Sequence, residues 1–404
     1  MNAPWQPNAK HHLERMVNVT PPKSIGFPRM EQEAGEKRVF LPDFIQHLAE
    51  LGAQVVIEEG YGSHSGFDKA DFRQGNIKVS FGTRQDAFDQ GLVLILRSPD
   101  DDFRRMKPGT ILMSMLHYPT HPNRSPLFQK LGLKTISLDS IVNDNDIRLV
   151  ENMKAVAWNG LEVAYSLLEK RWPGLVRPNK EPIQVLQLGT GMVGRHAVDA
   201  AVHLGNIERN NKHIESGGPG AICKAVGRNL TNHPDEMLAL LKQTDILVDA
   251  TQRRNPAEPV IPNEWIQYLP EHAIIVDLSV DPYIPETAPP VVRGIEGIPK
   301  GDLDKYIFEP EDPDWEDTIA PDVPSEHRRT AVTCYSWPGF HPEACMTHYG
   351  QQLNPMMPVL MEKGYDGLTL EGEYFGRALY RATLKAWEDQ LARNIIWNGD
   401  KAYK

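Results

Sequence analysis

The segment Gly189-Thr190-Gly191-Met192-Val193-Gly194 constrains what this chain can fold into more than any other stretch. It directly follows the apolar run Ile183–Leu188 and opens Val193–Leu204, where apolar residues recur at helical spacing. Glycines at these places permit a tight strand-to-helix turn and let the backbone approach a pyrophosphate. The helix N-terminus then supplies amide donors and a favourable dipole. A bare G-x-G-x-x-G arises often by chance, but between a strand and a helix it marks a dinucleotide site. The expected cofactor contacts are Gly189, Gly191, Met192, Val193 and Gly194, with Thr251 further along the chain.

NAD-preferring sites of this kind usually end their second strand in an Asp or Glu that accepts from the ribose 2′-hydroxyl. Here the second strand reads as Ala221–Val226, and it ends in Gly227-Arg228-Asn229 with no carboxylate. An arginine there accepts a 2′-phosphate rather than repelling it. The pattern therefore favours NADP over NAD, with Arg228 as a cofactor contact, unless Glu208 or Glu215 takes the acidic role.

The same alternation of strand-like and helix-like runs extends along most of the chain. Ala53–Ile57, Leu92–Leu96, Thr110–Leu116 and Thr135–Leu138 read as strands, with helices at Asp43–Leu51 and Ser125–Leu131. Strands spaced by helices predict an α/β protein built from parallel βαβ units. At 404 residues the chain accommodates two domains. A long helical stretch, Asp146–Arg171, and the Pro/Gly-rich Trp172–Pro182 suggest a junction between them. If the last helices return to the first domain, a central nucleotide domain (161–334) is inserted into a discontinuous substrate domain (1–160 and 335–404).

Composition removes other classes of function. Unbroken apolar runs reach only five residues, as at Leu92–Leu96, far short of the roughly 20 residues a membrane span needs. A net charge of −11 without a Lys/Arg block argues against a nucleic-acid partner. Three cysteines, none in a C-x-x-C pair, suit a reducing cytoplasm, and the N-terminal residues lack the apolar core of a secretory signal. Cys334, His341, Cys345 and His348 are close in sequence, but their spacing matches no common zinc module, so no metal is expected. The run Glu309–Asp317 holds six carboxylates in nine residues and reads as a solvated loop.

Several further motifs, in order along the chain, resemble the alanine dehydrogenase / pyridine nucleotide transhydrogenase N-terminal family, which includes the lysine-forming saccharopine dehydrogenases. They are the opening from Gly26-Phe27-Pro28-Arg29 to Glu36-Lys37-Arg38-Val39, the strand end Leu94-Ile95-Leu96-Arg97-Ser98-Pro99, and Met115-Leu116-His117. Ile275-Val276-Asp277-Leu278-Ser279-Val280-Asp281 resembles the family's V-D-x-x-x-D signature, and Tyr349–Pro358, with Asn354, its returning Y…N…P helix. The resemblance implies two Rossmann-like domains with parallel sheets, one inserted into the other. It also implies an NAD(P)-dependent oxidoreductase acting on the C–N bond of an amino acid or its 2-oxo acid, cytoplasmic and a homo-oligomer. A transhydrogenase-like or NADPH-sensing protein without turnover is the alternative.

The resemblance also assigns roles. Arg38 and Asn354 become substrate-binding residues, His117 a general acid/base, and Asp281 a catalytic and cofactor-contacting group, while Asp277 reads as structural. Guanidinium suits a carboxylate because its planar fork bonds both oxygens. Histidine suits proton transfer because its pKa of about 6.5 lies near neutrality. Arg97 departs from the family pattern, which has lysine. An arginine cannot act as a base, so its expected work is to polarise a carbonyl or hold a carboxylate.

Overall fold

The computed structural model describes residues 21–30, 37–119, 121, 123–253, 255–279, 283–285 and 290–393. The chain divides into two compact units, one made of Met1–Glu151 and Thr347–Lys404, the other of Asn152–Met346. Each is built around a six-stranded sheet.

In the first unit the strands are β1 (Ser24–Phe27), β2 (Gln54–Glu58), β3 (Val79–Gly82), β4 (Leu92–Leu94), β5 (Ile111–Ser114) and β6 (Lys134–Ser137). Their spatial order is β3-β2-β1-β4-β5-β6, and every pair is parallel. β4 and β5 are buried along their whole length, which is why they read as apolar runs rather than alternating ones. The C-terminal helices cover the β6 edge: Ser137 N–H donates to the Ala382 carbonyl at 2.9 Å, and Glu388 accepts from Ser125 and Gln129. Covering the edge removes an open template for strand addition. β3 is absent from the sequence reading because it is a four-residue edge strand with only Val79 buried.

The second unit contains β7 (Ile183–Leu188), β8 (Ala221–Val226), β9 (Ile246–Asp249), β10 (Ile274–Asp277), β11 (Ile307–Phe308) and β12 (Thr330–Thr333). The order is β11-β12-β10-β9-β7-β8, parallel except for the short β11. Side chains alternate across this sheet into two cores. Ile183, Val185, Ile246, Val248, Ile274 and Val276 face one layer, and Leu186, Leu188, Leu247 and Ile275 the other. The helix Met153–Arg171 buries Ala157, Leu161, Ala164 and Leu168 in the first layer, and the helix Pro234–Leu241 places Met237 and Leu241 in the second. Two covered faces make this a doubly wound sheet.

Two expectations change. The unit boundaries fall after Glu151 and after Met346, not at 160/161 and 334/335, because the whole helix Met153–Arg171 packs in the second unit's core. That helix does not begin at Asp146. Asp146 is left-handed (φ 60°), Asn143 Oδ1 accepts from the Asn145 and Ile147 amides, and these turns stop helix formation until Met153. The acidic run Glu309–Asp317 is a loop of turns whose carboxylate-bearing residues are exposed apart from half-buried Asp312, and one side chain anchors it. Trp315 is buried and donates through Nε1 to the Gly297 carbonyl, while Lys305 Nζ meets Asp312 at 2.7 Å and Asp314 at 2.6 Å. The aromatic anchor inside the run ties it to the unit.

Asp277 and Arg293 form a fully buried ion pair at the end of β10. Arg293 also donates to the Pro299 carbonyl and the Thr333 hydroxyl, so the guanidinium links β10, β12 and the intervening loop. Removing one partner of such a pair leaves an uncompensated buried charge. Arg293→Met is therefore expected to lower stability by about 3–5 kcal/mol in urea unfolding followed by tryptophan fluorescence; a loss under about 1 kcal/mol would show the pair to be dispensable.

Candidate functional site

The glycine-rich loop leaves β7 and enters the helix Met192–Val202 with three distinct geometries. Gly189 has φ +84°, and a Cβ there would lie 2.7 Å from the Ala250 carbonyl oxygen, so side chains are strained and crowded. A Cβ on Gly194 would overlap the Gly189 carbonyl oxygen, so this glycine lets helix and turn close on each other. Gly191, the helix N-cap, has nothing within 4 Å of an added Cβ, and no side chain caps the helix. Tight turn, open approach and close packing are what a pyrophosphate at a helix N-terminus requires. The loop fits a dinucleotide.

The neighbouring elements agree with this placement. The chain passes from β7 to β8 on one side and later to β9 on the other, so the sheet changes direction between β7 and β9. Open parallel sheets bind ligands at the carboxyl ends beside such a switch. Met192 is exposed and Val193 half-buried at the start of the helix. Thr251 follows β9, with its N–H and hydroxyl both donating to Asp249 Oδ1 at 2.9 and 2.7 Å. Asp249 Oδ2 accepts from the Ser279 hydroxyl at 3.1 Å, so one buried carboxylate holds the exits of β9 and β10. Arg228 begins a short helix after β8, exposed, and donates to the Gln252 carbonyl at 2.8 Å. Glu208 pairs with Lys212 on the helix Ile207–Glu215, which leads into the amino end of β8 rather than its carboxyl end.

In the first unit His117 leaves β5 with φ +50°, a left-handed conformation unusual for a residue with a side chain. Asp139, just beyond β6, makes that conformation tenable. Its Oδ1 accepts from the His117 backbone N–H at 3.1 Å, and its Oδ2 lies 3.3 Å from His117 Nδ1. Ser137 Oγ donates to Asp139 Oδ1 at 2.7 Å and accepts from the Leu116 N–H. Burial of Asp139 opposes its ionisation. The hydrogen bond and charge of His117, the Ser137 hydroxyl and the Arg148 charge outweigh that cost, and the carboxyl is held well below the usual carboxylate range. Nearby His121 is pushed below the ordinary histidine value by burial and by the charges of Arg124 and His117. Histidine backed by a buried carboxylate is an arrangement for proton transfer: the acid fixes tautomer and ring while the imidazole exchanges the proton.

Asp139 is the member of this cluster that the sequence reading missed. It sits 22 positions from His117, in an ordinary Leu-Asp-Ser turn, and only the β5·β6 register, with Ser114 opposite Ser137, brings the two together. Arg97 is half-buried on the segment leaving β4, and Arg38 is buried in the stretch before the helix Pro42–Glu50. Both lie on connections that run from strand carboxyl ends, as His117 and Asp139 do. Asn354 ends the helix Pro342–Leu353, its N–H bound to the Gly350 carbonyl; its buried Oδ1 has no hydrogen-bond partner among the described residues. Asp281 lies outside the described residues. His341 Nε2 meets Glu162, and His348 Nε2 the Glu151 carbonyl, both at 2.9 Å.

Comparison with known proteins shows what the chain is similar to. Residues 28–157 match the family described as alanine dehydrogenase/PNT, N-terminal domain. An alanine dehydrogenase of Bacillus subtilis is 23% identical over 270 residues, spanning 64% of this chain and 70% of that protein. An NAD(P) transhydrogenase subunit alpha of Haemophilus influenzae is 22% identical over 285 residues, 63% of this chain and 55% of the subunit. A solved L-alanine dehydrogenase matches with a TM-score of 0.65 at 20% identity, covering 89% of this chain and 94% of that one. For a transhydrogenase from Sinorhizobium meliloti the TM-score is 0.56 at 17% identity, over 84% and 95%. These likenesses establish the fold, two sheets of mainly parallel strands.

Gly191 offers a direct test of the nucleotide loop, because its open side tolerates a side chain that a bound pyrophosphate would not. Gly191→Val should leave the melting temperature close to the parent's and weaken NADPH binding at least tenfold, about 1.4 kcal/mol. Unchanged affinity in a fluorescence titration would place the nucleotide elsewhere.

Proposed function

We propose that this chain is an NAD(P)-dependent oxidoreductase that interconverts an amino acid and its 2-oxo acid, acting on the C–N bond. The observation that carries the reading is His117, held in a left-handed conformation against the buried carboxylate of Asp139. A chain with a loop fit for a dinucleotide and no small substrate has little use for such a proton-transfer pair. The alanine dehydrogenase relatives support the reaction class, and the transhydrogenase relatives support nicotinamide binding.

Nicotinamide, when bound, supplies the acceptor or donor of hydride. The protein's residues would do the rest. With Nδ1 turned to Asp139, His117 exchanges protons through Nε2. In the deaminating direction, water adds to the carbon of the substrate's iminium, its oxygen forming the new C–O bond while the C=N pair moves to nitrogen. The water's proton passes to Nε2. The same nitrogen then returns that proton to the amine; as the C–N bond breaks and the carbonyl forms, Nε2 relays the hydroxyl proton to the released amine, which leaves as ammonium, so the imidazole ends as it began. Arg38 would grip the substrate carboxylate. Arg97, unable to act as a base, would polarise the carbonyl oxygen or hold a second acid group. Arg228, with no carboxylate at the carboxyl end of β8, favours a 2′-phosphate and therefore NADPH.

The deciding experiment mixes purified protein with NADPH or NADH and a panel of 2-oxo acids, each with ammonium and with lysine-like amines, and follows nicotinamide absorbance. Turnover with one pair is expected. Tight nucleotide binding without turnover across the panel would favour a carrier or sensor, the reading that arginine in place of the family's lysine keeps open. Given turnover, His117→Ala should lower kcat on the order of 10²–10⁴-fold with NADPH affinity nearly unchanged, and Asp139→Asn on the order of 10²-fold. Wild-type kcat in either variant would remove the pair from the chemistry. NADPH should bind about tenfold more tightly than NADH, with Arg228→Ala erasing the difference; equal affinities in the parent would defeat the NADP assignment.

A further inference from the structure

Arg84 sits at the centre of a charge cluster that ties together the exits of four strands of the first sheet. It is the first residue of a short helix, Arg84–Phe88, which starts just after β3 and is capped by reciprocal bonds between Thr83 and Asp86. That helix lies directly on β1, because Gly26 has no side chain: a Cβ there would overlap the Ala87 carbonyl oxygen. From this perch the guanidinium donates to the Arg29 carbonyl at 3.0 Å, beyond the end of β1. It reaches Glu58 Oε2, at the end of β2, at 2.9 Å, and Asp102 Oδ2, beyond β4, at 2.7 Å. Glu58 also accepts from the Arg29 N–H at 2.7 Å, and Asp102 accepts from the Ser98 hydroxyl at 3.2 Å and from Arg105 Nε at 3.2 Å. The Phe88 ring lies 5.2 Å from the guanidinium carbon.

The side chains of Arg84, Glu58 and Asp102 are only 14%, 10% and 6% exposed. Buried ion pairs seldom add net stability over a well-packed apolar group of the same volume, so such a cluster is better explained by the geometry it imposes. That geometry is local to one place. β1 and β4 are the neighbours between which this sheet changes direction, and Ser98 directly follows Arg97.

We infer that Arg84 is a positioning residue for carboxylate binding: by clamping Arg29, Glu58 and the Ser98–Asp102 segment, it fixes the strand exit that presents Arg97. The role of Arg97 rests on the function proposed above; the clamp itself rests on the contacts just described. Preorganisation of this kind matters because a misplacement of about 1 Å at a binding group can cost on the order of 10²-fold in rate.

The test compares NADPH-saturated parent, Arg84→Met and Arg84→Lys, with Glu58→Gln as a milder second route should Arg84→Met fail to fold. Kinetics with the active 2-oxo acid are joined by calorimetric titration of pyruvate and of 2-oxoglutarate. The clamp predicts a KM or Kd for the 2-oxo acid raised about tenfold or more in Arg84→Met, NADPH affinity unchanged, and partial recovery in Arg84→Lys. Folded Arg84→Met with carboxylate affinity and kcat within about twofold of the parent would overturn it, and would leave the dehydrogenase reading intact. If the parent binds a 2-oxo acid but turns nothing over, the dehydrogenase reading falls and the titration alone judges the clamp. A parent that binds neither acid overturns the clamp as well.

Discussion

Parallel strands all finish on the same side of a sheet, and in both units of this protein that constraint decides where chemistry can occur. Every connection leaving a carboxyl end is short of regular hydrogen bonds and must find partners in its neighbours. In the second unit the glycine-rich turn after β7 is packed against Ala250 beyond β9, so the nucleotide loop and the sheet's change of direction are one feature. In the first unit His117, Asp139, Arg97 and Arg84 occupy connections at the corresponding end of their own sheet. The resemblance between the units lies in this constraint rather than in shared residues.

Buried carboxylates hold these connections together, and each is used differently. Asp249 accepts hydrogen bonds from Thr251 and Ser279, which ties two loops to one carboxylate. Asp277 is neutralised outright by Arg293 and serves the frame. Asp139 faces the imidazole of His117, so the same kind of buried acid orients the side chain to which the proposed function gives the proton transfer. Isolated buried charge is costly, and the identity of the partner determines whether the cost goes to rigidity or to chemistry.

How much was legible in the sequence follows from how local each signal is. The helix Pro234–Leu241 and the strands Ile183–Leu188 and Ala221–Val226 have the bounds that their apolar patterns predict. β3 and β11 escaped because edge strands of four and two residues leave too little periodicity to read. The acidic run could be read as a loop, but not its anchor Trp315, whose hydrogen bond goes to a carbonyl 18 residues away. His117 could be singled out at a strand end, whereas Asp139 looked like any turn residue.

By itself the sequence determined an α/β chain of two parallel-sheet units, a glycine-rich turn between a strand and a helix, and a set of arginines and a histidine at strand ends. These are properties of spacing and residue type, set within about ten residues of chain. Only the tertiary structure decided which of those residues act together. Strand order and register bring Asp139 beside His117, and the absence of a side chain at Gly26 lets a helix carry Arg84 onto Glu58 and Asp102. Such pairings join residues 18 to 26 positions apart on different strand exits, and no local pattern encodes them, because the contact exists only after the sheet has formed.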